Sequence, residues 1–345
     1  MKRFDMKKPG DNFSLGFSLV ELMIAMALSV VLLLGVVSIY TNSKQTYNVQ
    51  EGASRLQENI RFAMGRLTRE VGAAGYMGCL EPNRQIGGED VIINTLAVKT
   101  GLSNFTTPLS GLDGSGANNS DEITVNRASA ATQVRMIEQV DRDNDPKQII
   151  TFDSSDPDYA RIQKDQTLIL ADCSRAVAFM VTNTPIAGDS GQIEHDTGIT
   201  NADGQSNATV DLGWSFGGEK NALGTLMRVV GNTYSIGDSA RGACAVATPG
   251  FCALLENGQE LVEGVQSMQI LYGVDTDVPA DSEVDTYVDS TGVLAAAAAG
   301  WNAVTSVRIT LVVNEVERIQ GSNNGLTNGR PKTFVNTIRL RSRGI

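Results

Sequence analysis

The sequence predicts an α+β fold in which one long N-terminal helix packs on a mostly antiparallel β-sheet domain. An apolar run at residues 17–40 carries one charged residue, Glu21, and helical periodicity continues beyond it. After Cys79, short β-rich runs alternate with clusters of Gly, Asn, Asp and Ser. We therefore expect three parts: a leader at 1–16, a helix at 17–72 and a β-rich domain at 73–345.

Composition and charge limit the classes of function. The chain has 345 residues, of which 41% are hydrophobic and 19% charged, so it is neither a disordered polar tract nor a polytopic membrane protein. The net charge is −11, and because residues 1–16 carry +2, the remainder carries −13. An acidic body repels nucleic acid, so we expect no nucleic acid as a main partner. Solubility alone also accounts for this acidity.

The apolar run is long enough to cross a bilayer core of about 30 Å as a helix. Basic residues precede it, which predicts a cytoplasmic N-terminus and a body beyond the inner membrane, in the periplasm. The run is too long for an ordinary secretory signal, and no A-x-A-like cleavage site follows it. A small residue, Gly16, stands immediately before the run, so cleavage there would keep the whole apolar helix.

Glu21 is the exceptional residue of this run. A charge inside a membrane helix costs about 2.5–3.5 kcal/mol and is usually functional. Glu21 follows Phe17 by four residues, so the two share a helix face. Cleavage after Gly16 would create an α-amino group on Phe17, which Glu21 could pair with in its own chain or in a neighbour. Alternatively, Glu21 lies at headgroup depth and stabilises its own helix N-terminus.

The helix is predicted to continue well past residue 40. Five apolar residues fall on one helical face, at spacings of four, three, four and four: Leu56, Ile60, Ala63, Leu67 and Val71. Arg66 and Glu70 form an i,i+4 pair of opposite charge, which we expect on an exposed face. The helix should end near Val71, where a cluster of glycines begins.

The body is predicted to be rich in strands. Candidate strands are residues 91–98, 122–125, 134–140, 149–152, 167–171, 176–181, 225–230, 233–236, 268–274, 304–313 and 333–341. Gly231-Asn232 and Asn257-Gly258 are turn dipeptides, and the second is a hairpin signal. The alanine run at 295–299 is typical of a short helix or a spacer.

Four cysteines suggest two disulfides. The sequence has no C-x-x-C pair, which argues against a zinc site, and an even count in an exported chain allows three connectivities. Cys244 and Cys252 enclose seven residues, a loop short enough to close locally, which leaves Cys79 with Cys173. Buried free thiols are the alternative, but they suit a cytosolic protein better than one with this N-terminus.

Motifs for enzymatic chemistry are weak. Residues 213–217 fit the G-x-S-x-G pattern without a convincing helix after them, and residues 188–191 resemble a serine-protease nucleophile loop. A serine triad would need His195, the only histidine, which lies in a Gly/Asp-rich loop and is expected to be solvated. We therefore expect no enzymatic activity.

Two acidic stretches are candidates for calcium. Asp275, Asp277, Asp281 and Asp285 place carboxylates at alternating positions, as residues 141–145 also do. Neither stretch has the Gly at position six or the final Glu of an EF-hand loop, and a solvated acidic loop is the alternative. We expect no other cofactor. The C-terminal stretch is locally basic, compatible with a contact to an acidic neighbouring subunit or with a plain exposed strand: Arg330, Lys332, Arg339, Arg341 and Arg343.

The N-terminal residues carry a resemblance. Gly16, Phe17 and Glu21, behind a basic leader and within an apolar run, resemble the cleavage and assembly motif of type IV prepilins and type II secretion pseudopilins. The resemblance implies cleavage after Gly16 by prepilin peptidase, N-methylation of Phe17, and a role of Glu21 in assembly. It also implies the pilin fold, a long N-terminal helix packed on an antiparallel sheet.

Segments along the body narrow the resemblance to PilW-type minor pilins: 74–79, 171–173, 263–277, 301–309 and 334–341. The family implies a low-abundance subunit that primes pilus assembly and lies near the pilus tip with other minor pilins and an adhesin, supporting twitching motility and adhesion. Further implied partners are the major pilin and the inner-membrane assembly platform. Relatives often have a more regular Asp-rich stretch with a Gly after Asp277, where this chain has 278–281. The alternatives are a type II secretion pseudopilin and an anchored enzyme or lectin.

Overall fold

The computed structural model describes residues 18–80, 85–86, 89–98, 107–138, 149–216, 223–297, 299–314, 316–317, 327–328 and 331–343. The chain divides into two compact units, residues 1–54 and residues 55–345. Within these residues the fold is a long N-terminal helix followed by a mostly antiparallel β-sheet domain, which confirms the predicted α+β class.

Helix α1 spans Leu19–Gly72, 54 residues without a proline. Every described side chain from Ser18 to Tyr47 is exposed, and the most apolar 18-residue window has a mean hydropathy of 2.8. The helix ends in a turn in which the N–H of Ala74 donates to the carbonyl of Val71. Gly75 follows with a φ of +73°, a left-handed conformation that glycine adopts without steric cost.

The strands lie in the second unit, in chain order β1 to β18: Gln85–Ile86, Glu89–Asp90, Ile92–Asn94, Leu109–Gly116, Ser120–Arg135, Ile150–Thr151, Thr167–Ala171, Ala176–Met180, Gln192–Ile193, Thr225–Asp238, Cys252–Glu256, Gln259–Glu263, Val265–Val274, Thr286–Val288, Val304–Val313, Val316–Glu317, Thr327–Asn328 and Lys332–Arg339. A short helix, α2, spans Ser290–Ala296 and is capped by the Asp289 carboxylate. Two sheets contain most of these strands.

The first sheet has eight strands and is organised around β10. The order is β12-β11-β10-β7-β8-β3, and β5 pairs with β10 and with β4. All pairs in it are antiparallel except β3 with β8. The second sheet is fully antiparallel, in the order β14-β13-β15-β18.

The core forms three apolar clusters. The largest joins the predicted apolar face of α1, from Leu56 to Val71, to inward residues of both sheets, including Tyr234 and Ile309. The other two clusters lie on opposite faces of β7 and β8. Strands with two buried faces need continuous apolar sequence, which explains the uninterrupted runs of β7 and β8.

Several strand predictions need correction. Gly231-Asn232 is not a turn, because both residues lie inside β10, opposite Asn126 and Val125 of β5. The structure also contains strands that were not predicted: β4, β11, β12 and β14, and the two-residue strands β1, β2, β9, β16 and β17. The hairpin at Asn257-Gly258 is confirmed, since it joins β11 to β12.

Candidate functional site

Ser18, the first described residue, caps the N-terminus of helix α1. The backbone N–H of Glu21 donates to Ser18 Oγ at 3.4 Å, and the N–H of Leu22 donates to the Ser18 carbonyl at 3.1 Å. Ser18 and Glu21 thus fit the S-x-x-E capping-box pattern, a sequence signal for the start of a helix. Glu21 is exposed in the first turn, where a negative charge favours the helix N-terminus. Gly16 and Phe17 lie outside the described residues.

The apolar surface after Glu21 is continuous. Leu22 is 50% exposed and Leu32 is 70% exposed. The hydroxyls of Ser29, Thr41 and Thr46 donate to carbonyls three or four residues earlier in the same helix. With their hydroxyls satisfied internally, these polar side chains can lie in an apolar environment. This surface suits a bilayer or the apolar core of a helix bundle.

The last turns of α1 carry a buried ion pair. The carboxylate of Glu70, only 2% exposed, accepts from Arg127 of β5: Nε to Oε2 at 2.9 Å and Nη2 to Oε1 at 3.3 Å. Arg66 Nη1 lies 3.2 Å from Oε1, and Asn232 of β10 donates to Oε2 at 3.3 Å. Burial by itself would raise the pKa of Glu70, but the two arginines and Asn232 outweigh it, so the pKa is lowered.

Arg66 extends these contacts to β11. Its Nη2 donates to Glu256 Oε1 at 2.6 Å, and the hydroxyl of Tyr234 donates to the same oxygen at 2.7 Å. The hydrogen bond with Glu256 raises the pKa of Arg66. The expectation that Arg66 and Glu70 pair on an exposed face is wrong. Both join a network that fixes α1 to β5, β10 and β11, and we call these residues the helix-anchor network: Arg66, Glu70, Arg127, Asn232, Tyr234 and Glu256.

Two disulfides occur, with the pairing favoured above. Cys79 and Cys173 join the segment after α1 to the β7–β8 turn, with 4.8 Å between their Cα atoms. Cys244 and Cys252 close the loop before β11, with 4.4 Å between their Cα atoms. Asn118 Nδ2 lies within 3.5 Å of both sulfurs of the second bond, which ties that loop to the turn between β4 and β5.

The residues considered for hydrolase chemistry make packing and turn contacts in the structure. His195 was expected to be solvated, but it is fully buried and its ring packs on Phe179 with 5.1 Å between ring centroids. His195 is buried because Ile193, two residues before it, belongs to the core and draws the loop inward. The Asp189 carboxylate accepts from the N–H groups of Ile186 and Gly191 and from the Tyr159 hydroxyl, which makes it part of a turn.

The G-x-S-x-G stretch is also held by packing contacts. Trp214 Nε1 donates to Asp172 Oδ2 at 3.2 Å, and the Arg175 guanidinium stacks on the Trp214 ring at 4.5 Å. Gly217, which completes the motif, lies outside the described residues.

The acidic loop after β13 is held together by turns. Asp275 accepts from the N–H groups of Asp277 and Ser282, and Asp285 accepts from the backbone and hydroxyl of Thr276. Repulsion from Asp285, with smaller effects of desolvation and of the other carboxylates, raises the pKa of Asp277. Across the described ranges, no group of three or more His, Cys, Asp or Glu side chains is arranged to hold a metal ion. Residues 141–145 lie outside the described residues.

Comparisons with protein families give two matches. The family described as type IV pilus-assembly protein W matches residues 233–340, from the second half of β10 to the end of β18. The prokaryotic N-terminal methylation motif matches residues 12–37. Searches of curated proteins and of solved structures found no significant match.

Proposed function

We propose that this chain is a type IV pilus minor pilin of the PilW type, which primes pilus assembly and then lies near the pilus tip. One observation carries the proposal: the methylation motif leads directly into an exposed apolar helix whose first turn holds a lone carboxylate, Glu21. In this role the chain works with other minor pilins, the major pilin and a tip adhesin, and so supports twitching motility and adhesion.

The proposed route begins in the inner membrane. Helix α1 anchors the chain there with its body in the periplasm, and prepilin peptidase cuts after Gly16. The new α-amino group of Phe17 is then N-methylated. The assembly platform moves the subunit into the filament, where the same apolar side chains that faced lipid pack on neighbouring helices.

Glu21 has a distinct task in this route. In an apolar bundle an unpaired carboxylate is costly, so a subunit docks most favourably where Glu21 meets the amino group of a Phe17. That amine belongs to its own chain or to a neighbour. Pairing with the amine of a neighbour would favour one axial register between subunits over others.

A Glu21→Ala variant tests this role. We expect normal cleavage and membrane insertion, but strongly reduced recovery of the chain in sheared pili and fewer pili per cell. Glu58→Ala is the matched control, because Glu58 is an exposed carboxylate farther along the same helix. Equal piliation in the two variants would contradict the pairing role of Glu21.

A type II secretion pseudopilin is the alternative, since it shares the leader, the apolar helix and Glu21. Deletion of the gene distinguishes the two functions. If the chain is a pilus subunit, deletion should abolish pili and twitching and leave protein secretion normal. If it is a pseudopilin, deletion should abolish secretion and leave pili and twitching normal.

A further inference from the structure

Within the described residues, one face of the second sheet is largely half-exposed or exposed. Register and burial place Met268, Ile270 and Tyr272 of β13 in the largest core cluster, together with Val307, Ile309 and Leu311 of β15 and Ile338 of β18. The residues that alternate with these lie on the other side, which we call the outer face: Ser267, Gln269, Leu271, Gly273, Tyr287, Ser306, Arg308, Thr310, Val312, Thr333, Val335, Thr337 and Arg339. At one end of the face, Gly273 and Ser306 are buried, and Val284 packs beside Gly273. Val335, on the edge strand β18, is 60% exposed.

The charge of the outer face is opposite to that of the chain. Its charged residues, among those described, are Arg308 and Arg339, and none of its described residues is acidic. The whole chain carries −11. A face of one sign on a protein of the other sign is suited to attract an oppositely charged partner and to orient its approach.

The Arg308 side chain is already ordered. Its guanidinium stacks over the Tyr287 ring, 3.9 Å from the ring centroid, and its Nε donates to Thr337 Oγ1 at 3.4 Å. Arg339 is held at the edge of the face, where Nη2 donates to the Ser282 carbonyl at 3.4 Å. Arginine and tyrosine are enriched among residues that dominate binding energy, and an ordered cation loses less entropy when it binds a carboxylate.

Among its described positions, the remainder of the outer face is uncharged. Its residues are mainly Thr, Val, Ser and Gln with Leu271, and the described positions contain no lysine or glutamate. Those long charged side chains are depleted at the centres of interfaces and are used to keep exposed strands apart from other proteins. A weakly polar surface with ordered arginines therefore matches the composition of a protein interface.

We propose that the outer face docks on an acidic surface of another pilus subunit, with Arg308 and Arg339 pairing with its carboxylates. The proposal rests on the proposed function, because it takes the partner from the same filament. Subunits would then contact each other through the outer face of the body as well as through helix α1.

Photo-crosslinking in piliated cells tests the proposal with the full-length chain. p-Benzoylphenylalanine is placed at Val335, on the outer face, and in a separate chain at Val246, which is 75% exposed and lies in the loop closed by Cys244 and Cys252. We expect a product with another pilus subunit from Val335 and not from Val246. Mass spectrometry should locate the attachment beside Asp or Glu residues of that subunit.

Charge reversal provides the second arm. Arg308→Glu combined with Arg339→Glu, in the chain with the crosslinker at Val335, should lower the yield of this product by about tenfold or more. Arg228→Glu is the matched control, an exposed arginine on β10 of the other sheet, and should leave the yield unchanged. Retention of both disulfides and of the thermal transition shows that each variant folds.

Three results would overturn the proposal. They are equal yields from Val335 and Val246, a product that persists after the charge reversal, or a product whose mass is that of two copies of this chain. If the chain is not processed at Gly16 and is absent from pili, the proposed function fails instead. A processed chain that enters pili and lacks the Val335 product leaves the function intact and removes only the docking face.

Discussion

Arg127 on strand β5 holds the carboxylate of Glu70 on helix α1 with two hydrogen bonds, at 2.9 and 3.3 Å. Glu70 is buried, Arg127 is half-buried, and the two lie 57 positions apart in sequence. It therefore fixes the last turns of the helix to the first sheet at a defined position.

Removing one partner of this pair should destabilise the domain. Arg127→Ala leaves Glu70 buried with one fewer cation, and we expect a loss of about 3–5 kcal/mol of unfolding free energy. Arg61→Ala, an exposed arginine of the same helix, should change the free energy of unfolding by less than about 0.5 kcal/mol. Denaturant unfolding of the full chain in detergent measures both. Equal stability of the two variants would show that the pair contributes nothing.

The double variant tests whether the two residues act together. Removing both Glu70 and Arg127 leaves no buried unpaired charge, so Glu70→Ala with Arg127→Ala should cost less than the sum of the single variants. Additive losses, in the same unfolding measurement, would argue against direct coupling.

Glu70 also predicts a pH dependence. Its pKa in the folded chain is lowered below the ordinary 4.5, so its ionised form is stabilised by folding. That contribution is fully present above about pH 4.5 and is lost as the pH falls through the lowered pKa. Thermal unfolding from pH 7 to pH 3 should show wild type and Glu70→Gln converging at the acidic end. A difference in Tm between wild type and Glu70→Gln that stays constant over this pH range would exclude the lowered pKa of Glu70.

The two disulfides should contribute unequally. Cys79 and Cys173 are separated by 94 positions and Cys244 and Cys252 by 8. Loop entropy gives roughly 4.5 kcal/mol for the first bond and roughly 2.5 kcal/mol for the second. Replacing each pair with serines and measuring thermal unfolding compares them, and a larger loss for the short loop would contradict the entropic estimate.

Calcium at the acidic loop stays a prediction. A cation there would relieve the repulsion that raises the pKa of Asp277. Calorimetric titration of the full chain should then show binding that Asp277→Asn with Asp285→Asn removes. Neither heat nor a thermal shift on adding calcium would leave the loop as a solvated acidic turn.

Local sequence patterns predicted much of the fold. The apolar face from Leu56 to Val71, strand β7 and strand β15 follow from periodicity or from continuous apolar runs, and the structure places them as expected. The first turn of α1 was also readable, since Ser18 and Glu21 fit a capping pattern.

The wrong predictions concern residues whose contacts come from distant parts of the sequence. Glu70 looked like an exposed surface charge because Arg127 and Asn232 lie 57 and 162 positions away. Gly231-Asn232 looked like a turn, but pairing with β5 keeps both residues in the extended strand β10. His195 looked solvated because nothing nearby in the sequence reveals Phe179 above its ring.

The N-terminus of the chain in the pilus is the most direct test of its identity as an assembled pilin. Sheared pili are purified, the chain is isolated, and its N-terminal peptide is sequenced by tandem mass spectrometry. We predict a chain that begins at Phe17 with one methyl group on its α-amine. A chain that begins at Met1, or one found only in membranes with Gly16 intact, would contradict the account.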